Sequence, residues 1–181
     1  MKQSKKIALS AMAVSLGTLF MIIGAVFEVM DLSSSALASL AVVFVYVEVG
    51  SPYTWLTWLC TALLSFVFFP GSMLWLMYFV LFGIYPILKG YIERAPKVLW
   101  WPLKIALGNL SLLLLVLGTE FILGVSFFGD TSVIPWLSPI VVYIILWLIM
   151  NIAIILYDIF IGVMLRFYYD RIRPKITRLL K

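Results

Sequence analysis

The chain has 181 residues, of which 65% are hydrophobic and 12% are charged, and its formal net charge is +5. A soluble domain of this length cannot cover so many apolar residues with polar surface. The composition therefore excludes a soluble globular protein and predicts a polytopic membrane protein. The sequence contains no His, which excludes imidazole metal ligands and histidine general bases. We expect neither a metal site nor a cofactor.

Apolar segments follow one another along most of the chain. They cover residues of about 7–30, 34–49, 53–69, 72–88, 100–123 and 137–165. A transmembrane helix needs about 20 residues, so the second, third and fourth segments are short and could be tightly turned spans or include a re-entrant pair. We favour spans, because strong helix breakers lie at 50–52 and 70–72. The sequence thus predicts one transmembrane domain over 1–181, an all-α bundle of six helices.

The 13 Lys and Arg residues fall into clusters separated by long stretches without a positive charge. These clusters lie at 2–6, 89–104 and 166–181. Lys and Arg near helix ends collect on the cytoplasmic side of a membrane, so both termini and the 89–99 loop are predicted to lie inside. We expect a multi-pass protein of a bacterial plasma (inner) membrane, with a basic cytoplasmic tail at 166–181. The lipid bilayer accounts for the positive charge, and no nucleic acid is expected as a partner.

Small residues occupy two faces of the first predicted helix. One face carries Ala8, Ala11, Ser15 and Thr18, and the nearly opposite face carries Ser10, Ala13, Gly17 and Gly24. Small residues let membrane helices approach closely, since lipid provides no hydrophobic drive for pairing. Both faces could pack inside the bundle, or one of them could dock a different membrane protein.

Polar and charged residues also fall in the inner half of the predicted bundle. They are Glu48, Lys104, Asn109, Asn151 and Asp158. An ionisable group inside a membrane is costly and is a functional hypothesis by default. We predict a buried network that locks helices 2, 5 and 6 together, with Lys104 paired to Asp158 or to Glu48. A transport or proton-relay role is the alternative. The stripe formed by Tyr143, Trp147, Asn151 and Asp158 is expected to face the bundle interior.

An acidic residue near the outer end of the fifth helix indicates a different kind of site. Glu120 has no basic residue near it in the outer segments, which instead supply aromatic residues: Trp75, Tyr78, Phe127, Phe128 and Trp136. A carboxylate between aromatic walls suits a cationic or flat aromatic solute. We predict substrate binding by Glu120, Trp75, Tyr78 and Trp136. In the alternative, Glu120 faces water and the aromatic residues form an interfacial belt.

The opening of the chain carries a family resemblance. Residues 5–13 read Lys-Lys-Ile-Ala-Leu-Ser-Ala-Met-Ala, and they begin a helix rich in small residues that is followed by five further apolar segments and a basic tail. This layout resembles the substrate-binding S components of energy-coupling factor (ECF) transporters. The resemblance implies a six-helix protein that binds a vitamin or similar micronutrient from outside and works with two partner ATPases.

The same resemblance implies a docking surface on the first helix. In that family an Ala-x-x-x-Ala motif of helix 1 binds a membrane coupling subunit, and the corresponding residues here are Ala11-Met-Ala-Val-Ser15, with Ser in place of the second Ala. Ala8, Ala11 and Ser15 are therefore predicted to dock this partner. The chain has no Walker motif, so ATP hydrolysis would be the work of its partners.

We expect a solute-binding subunit of a transporter, which captures a small micronutrient-like molecule outside and passes it inward. The alternative is a non-transporting polytopic scaffold in a cell-envelope complex. An enzyme is not expected, because the chain has no His and no paired acidic motif for general acid and base chemistry.

Overall fold

The computed structural model describes residues 2–27, 30–125 and 139–174, and the regular structure within these ranges is entirely helical. The helices are α1 (Gln3–Val26), α2 (Asp31–Glu48), α3 (Tyr53–Phe68), α4 (Met73–Ile92), α5 (Lys97–Leu123) and α6 (Pro139–Phe167). Single π-helical turns lie at Tyr78–Phe82 within α4, at Thr119–Leu123 at the end of α5, and at Tyr168–Ile172 directly after α6. The all-α class predicted from the sequence is confirmed for the described part of the chain.

Most of these helices are suited to a bilayer. Within the described ranges, five helices are long and apolar enough to cross a membrane. The exception, α3, has 16 residues. At 1.5 Å per residue α3 reaches about 24 Å, against a hydrocarbon core of about 30 Å. These lengths and compositions fit a multi-pass membrane protein.

The turns between the short helices follow from the breakers in the sequence. Gly50 adopts a φ of +82°, a left-handed conformation that glycine accepts without steric penalty, and it lies between α2 and α3. The hydroxyl of Ser72 accepts a hydrogen bond of 3.1 Å from the backbone N–H of Leu74 and so caps the start of α4. Gly124, with a φ of +65°, ends α5.

The centre of the bundle is α4. In the most apolar stretch of α4, 61% of the residues are buried, against 17% in the corresponding stretch of α6. Leu74, Tyr78 and Tyr85 are almost completely enclosed. The central helix therefore continues to Ile92, beyond the predicted segment 72–88, because its last turns are packed inside the protein. This extension places Lys89 within a helix and not in a loop.

Candidate functional sites: two faces of α1, an inner ionic network and an outer groove

The two small-residue faces of α1 have different surroundings. Ala8, Ala11 and Ser15 are exposed, whereas the face formed by Ser10, Ala13, Gly17 and Gly24 is buried. A Cβ added to Gly17 would lie 3.2 Å from the Thr61 methyl carbon, and one added to Gly24 would overlap the Ser34 side chain. The buried face is thus fitted closely to α2 and α3. Thr18 differs from the expected pattern, since it is buried as well.

An ionic network lies where α4, α5 and α6 meet at the basic end of the bundle. Its centre is the carboxylate of Asp158 on α6, which is 7% exposed. One carboxylate oxygen lies 2.7 Å from Nζ of Lys89, and the other accepts a hydrogen bond of 3.0 Å from Nζ of Lys104. The Tyr85 hydroxyl donates a third bond, of 3.1 Å, to the oxygen that Lys89 contacts. Three donor side chains from two other helices therefore hold one carboxylate.

A second carboxylate completes this network near the surface. Oε1 of Glu93, just after α4, lies 2.9 Å from Nζ of Lys104 and 3.7 Å from Nζ of Lys89. Lys89 also donates a 2.7 Å hydrogen bond to the backbone carbonyl of Asp158. Two buried ammonium groups are therefore matched by two carboxylates, so the network carries no net charge. We call Tyr85, Lys89, Glu93, Lys104 and Asp158 the ionic network.

Only part of this arrangement is predicted from the sequence. The pairing of Lys104 with Asp158 is present, but Lys89 had been assigned to a cytoplasmic cluster, and Tyr85 and Glu93 were not singled out. A signal was available: Tyr85, Lys89 and Glu93 follow one another at intervals of four residues, which places them on one side of a helix.

Glu48 takes no part in the ionic network: of the two partners considered for Lys104, the described part of the chain shows Asp158 and not Glu48. Glu48 ends α2 and accepts a 3.0 Å hydrogen bond from the Tyr168 hydroxyl. The same carboxylate oxygen lies 3.3 Å from Nε of Arg173. Because Tyr168 and Arg173 follow the end of α6, Glu48 joins α2 to α6 at the basic end of the protein.

Asn109 and Asn151 form a separate polar cluster between α5 and α6. The Asn109 amide donates a 3.1 Å hydrogen bond to Oδ1 of Asn151. The Trp147 indole N–H donates a 2.9 Å bond to Oδ1 of Asn109. This cluster lies further from the basic end than the ionic network. The predicted stripe on α6 turns outward along its length, since Asp158 is buried, Asn151 is partly buried and Tyr143 is exposed.

Glu120 lies on a groove between the other ends of α5 and α6. The groove has a volume of about 470 Å³ and is lined by Val116, Glu120, Tyr143, Ile144, Trp147 and Leu148. Glu120 is exposed, and no hydrogen bond or ion pair joins it to another residue within the described ranges. Two aromatic side chains thus flank a carboxylate at an open surface. We call this feature the outer groove.

The other predicted substrate residues lie elsewhere. Trp75 lines a different groove, of about 230 Å³, between α3 and α4, where its ring contacts the Phe66 ring edge-on at 4.9 Å. Tyr78 is fully buried in the core. Trp136, together with Phe127 and Phe128, lies outside the described residues. Of the predicted set, Glu120 alone lines the outer groove among the described residues, and Tyr143 and Trp147 are its aromatic neighbours there.

Comparisons of this chain with protein-family models, with curated proteins and with solved structures each gave no match. A functional assignment therefore depends on the geometry of α1, the ionic network and the outer groove.

Proposed function

We propose that this protein is a membrane-embedded solute-binding subunit of a bacterial transporter. It crosses the plasma membrane six times with both termini inside, takes a small micronutrient-like solute from outside, and releases it inward with a membrane coupling subunit and ATPases, as the ECF resemblance implies. The observation that carries the proposal is the division of α1, which has one small-residue face buried in the bundle and another exposed.

Packing against the described part of the chain does not explain the small residues on the exposed face of α1. On the buried face, Gly17 and Gly24 leave no room for a larger side chain because Thr61 and Ser34 approach the helix backbone there. On the other face Ala8, Ala11 and Ser15 are exposed, although neighbouring exposed positions of α1 carry large side chains such as Met12 and Leu16. Small residues at a lipid-exposed position permit a second helix to pack closely. A helix of the coupling subunit could therefore pack closely against Ala8, Ala11 and Ser15.

The outer groove supports the solute-binding part of the proposal. A carboxylate at membrane depth is expensive unless it meets a cation, a hydrogen-bond donor or water. Glu120 has no such partner among the described residues, and the rings of Tyr143 and Trp147 line the same groove. A protonated amine or a flat cationic ring would satisfy the carboxylate and contact the aromatic faces. We assign the solute site to this groove.

The docking surface is tested by adding bulk to either face of α1. Ala11→Trp and Ser15→Trp should leave the isolated protein folded and able to bind solute, but abolish uptake and co-purification of the coupling subunit. Gly17→Trp should damage folding first, because of the Thr61 contact. Leu16→Trp is the matched control, since this exposed position already carries a large side chain.

Two results would contradict the docking proposal. If Ala11→Trp unfolds the protein as Gly17→Trp does, both faces are internal packing surfaces. If the wild-type protein co-purifies with envelope proteins but with no ATPase, and no solute stabilises it against heat, a non-transporting scaffold is the better description.

The proposed orientation is tested by cysteine labelling. Cys60 is exposed on α3, so the background must carry Cys60→Ala. Lys97→Cys should react with a membrane-impermeant reagent only from inside, and Asp130→Cys only from outside. The opposite pattern at either position would overturn the six-crossing arrangement.

A further inference from the structure

A second groove lies at the basic end of the bundle, between α2, α4 and α6. It has a volume of about 200 Å³. Its apolar wall is formed by Val43, Val47, Ile161 and Leu165, and its polar part includes Tyr46 and Tyr169. We call it the inner groove. An apolar wall with hydroxyl groups beside it suits a lipid, whose chain would cover the wall and whose headgroup would meet the hydroxyls.

The two charged residues that line the inner groove are neutralised within the ionic network, and Arg94 lies beside the groove. Lys89 and Glu93 both line the groove, but they belong to the ionic network, whose two ammonium groups and two carboxylates are matched. Arg173 is paired with Glu48. Arg94 is different, because no carboxylate within the described ranges pairs with it. The groove is therefore electrostatically suited to an occupant with one negative charge, and a cationic occupant is disfavoured.

Arg94 lies next to this groove, where it is bonded to the lining residue Tyr46. Its Nη2 donates a 3.3 Å hydrogen bond to the Tyr46 hydroxyl, and its guanidinium lies 5.0 Å from the centre of the Tyr91 ring. The Tyr46 ring lies directly on Gly90, where a Cβ would overlap it, so α2 and α4 fix the position of the hydroxyl. A guanidinium and a hydroxyl thus lie side by side at this groove. Both groups can donate hydrogen bonds to a phosphate oxygen.

We propose that the inner groove binds an anionic phospholipid of the inner leaflet. One acyl chain lies along the apolar wall, and the phosphate accepts hydrogen bonds from Arg94 and Tyr46. Basic pockets between membrane helices on the cytoplasmic side are suited to anionic headgroups. A soluble anion would leave the apolar wall uncovered. This proposal depends on the chain crossing a membrane but not on the transporter function, so the two can fail separately.

The headgroup contact is tested with Arg94→Gln and the matched control Lys97→Gln. Both variants remove one exposed positive charge at the same end of the protein. Arg94 is bonded to Tyr46, which lines the groove, whereas no hydrogen bond within the described ranges joins Lys97, at the start of α5, to a lining residue. The full-length protein is purified, exchanged into vesicles of phosphatidylcholine with or without phosphatidylglycerol, and the retained lipid is measured by native mass spectrometry. Arg94→Gln should lower the retention of phosphatidylglycerol about fivefold, whereas Lys97→Gln should leave it nearly unchanged.

The chain contact is tested on α6. Leu165→Trp should fill the groove and displace the lipid, and Val163→Trp, at an exposed position outside the groove, should not. Equal losses for Arg94→Gln and Lys97→Gln would indicate attraction by the basic surface alone and overturn the proposal. Retention of phosphatidylcholine equal to that of phosphatidylglycerol would also overturn the proposal. So would release of the lipid by inorganic phosphate, or full lipid retention in Leu165→Trp.

Discussion

Asp158 and Glu120 are both carboxylates on helices that are long and apolar enough to cross a membrane, but their surroundings are opposite. Asp158 is buried and accepts bonds from Tyr85, Lys89 and Lys104. Glu120 is exposed on the outer groove and has no partner among the described residues. A carboxylate whose charge is already neutralised by fixed ammonium groups holds helices together. One that lies unpaired at an open groove remains available to a ligand. The basic end of the bundle is therefore held together by ion pairs, and we propose that the opposite end binds a solute.

The largest effect is expected when the inner carboxylate is removed. Asp158→Leu leaves Lys89 and Lys104 buried with only Glu93 to compensate them, so the bundle should lose about 3–5 kcal/mol of stability. Unfolding in detergent micelles, followed by helical circular dichroism, measures this loss. Asp170→Leu, at an exposed position after α6, is the control and should change little. A stable Asp158→Leu protein that had lost only transport would instead make Asp158 a functional residue.

Removing Glu93, the more exposed carboxylate of the ionic network, should have a smaller effect. Glu93 is one-third exposed, so water compensates part of its loss. We expect Glu93→Gln to cost about 1–2 kcal/mol in the same unfolding measurement. A loss equal to that of Asp158→Leu would show that Glu93 and Asp158 are equivalent, contrary to the described burial.

The amide cluster between the two ends should contribute less again. Asn109→Leu removes the acceptor of the Trp147 indole and both bonds to Asn151. Hydrogen bonds between membrane helices are modest, so the expected loss of stability is about 1 kcal/mol. Asn151→Leu should give a similar value, and the double variant should lose less than the sum because the two residues share their bonds.

The smallest effect on stability is expected at the outer groove. Glu120→Gln removes a charge that no described residue uses, so the free energy of unfolding should change by less than about 0.5 kcal/mol. A large destabilisation would show that Glu120 has a structural partner. The contrast between a paired Asp158 and an unpaired Glu120 would then be wrong.

The positions of the helices and of two turns could be predicted from the sequence, because hydropathy and helix breakers are local features of the chain. Hydropathy located each helix to within a few residues, and the breakers at 50–52 and 70–72 located two turns. The end of α4 was missed, because Lys89 ends the apolar run while the helix continues to Ile92. Hydropathy reports where a chain can be buried in lipid, and it cannot report that two carboxylates neutralise a lysine within the protein.

The sites were harder to predict because they depend on which helices are neighbours. The sequence places Glu120 and Trp75 at similar depth, yet they line different grooves, since the lateral order of helices is not encoded in hydropathy. Glu48 was placed with Lys104 for the same reason, whereas it meets Tyr168 and Arg173. The two faces of α1 were easier to predict, because helical periodicity alone separates Ala11 from Gly17.

The central claim is that the outer groove binds a solute while the inner end holds the fold. Its most direct test begins with protein purified from its native membrane, in which bound small molecules are identified by mass spectrometry. The affinity for the identified solute is then compared between the wild type and Glu120→Gln by titration. We predict a cationic or aromatic solute, bound at least tenfold more weakly by the variant at unchanged thermal stability. Equal affinity in the two proteins would contradict the account.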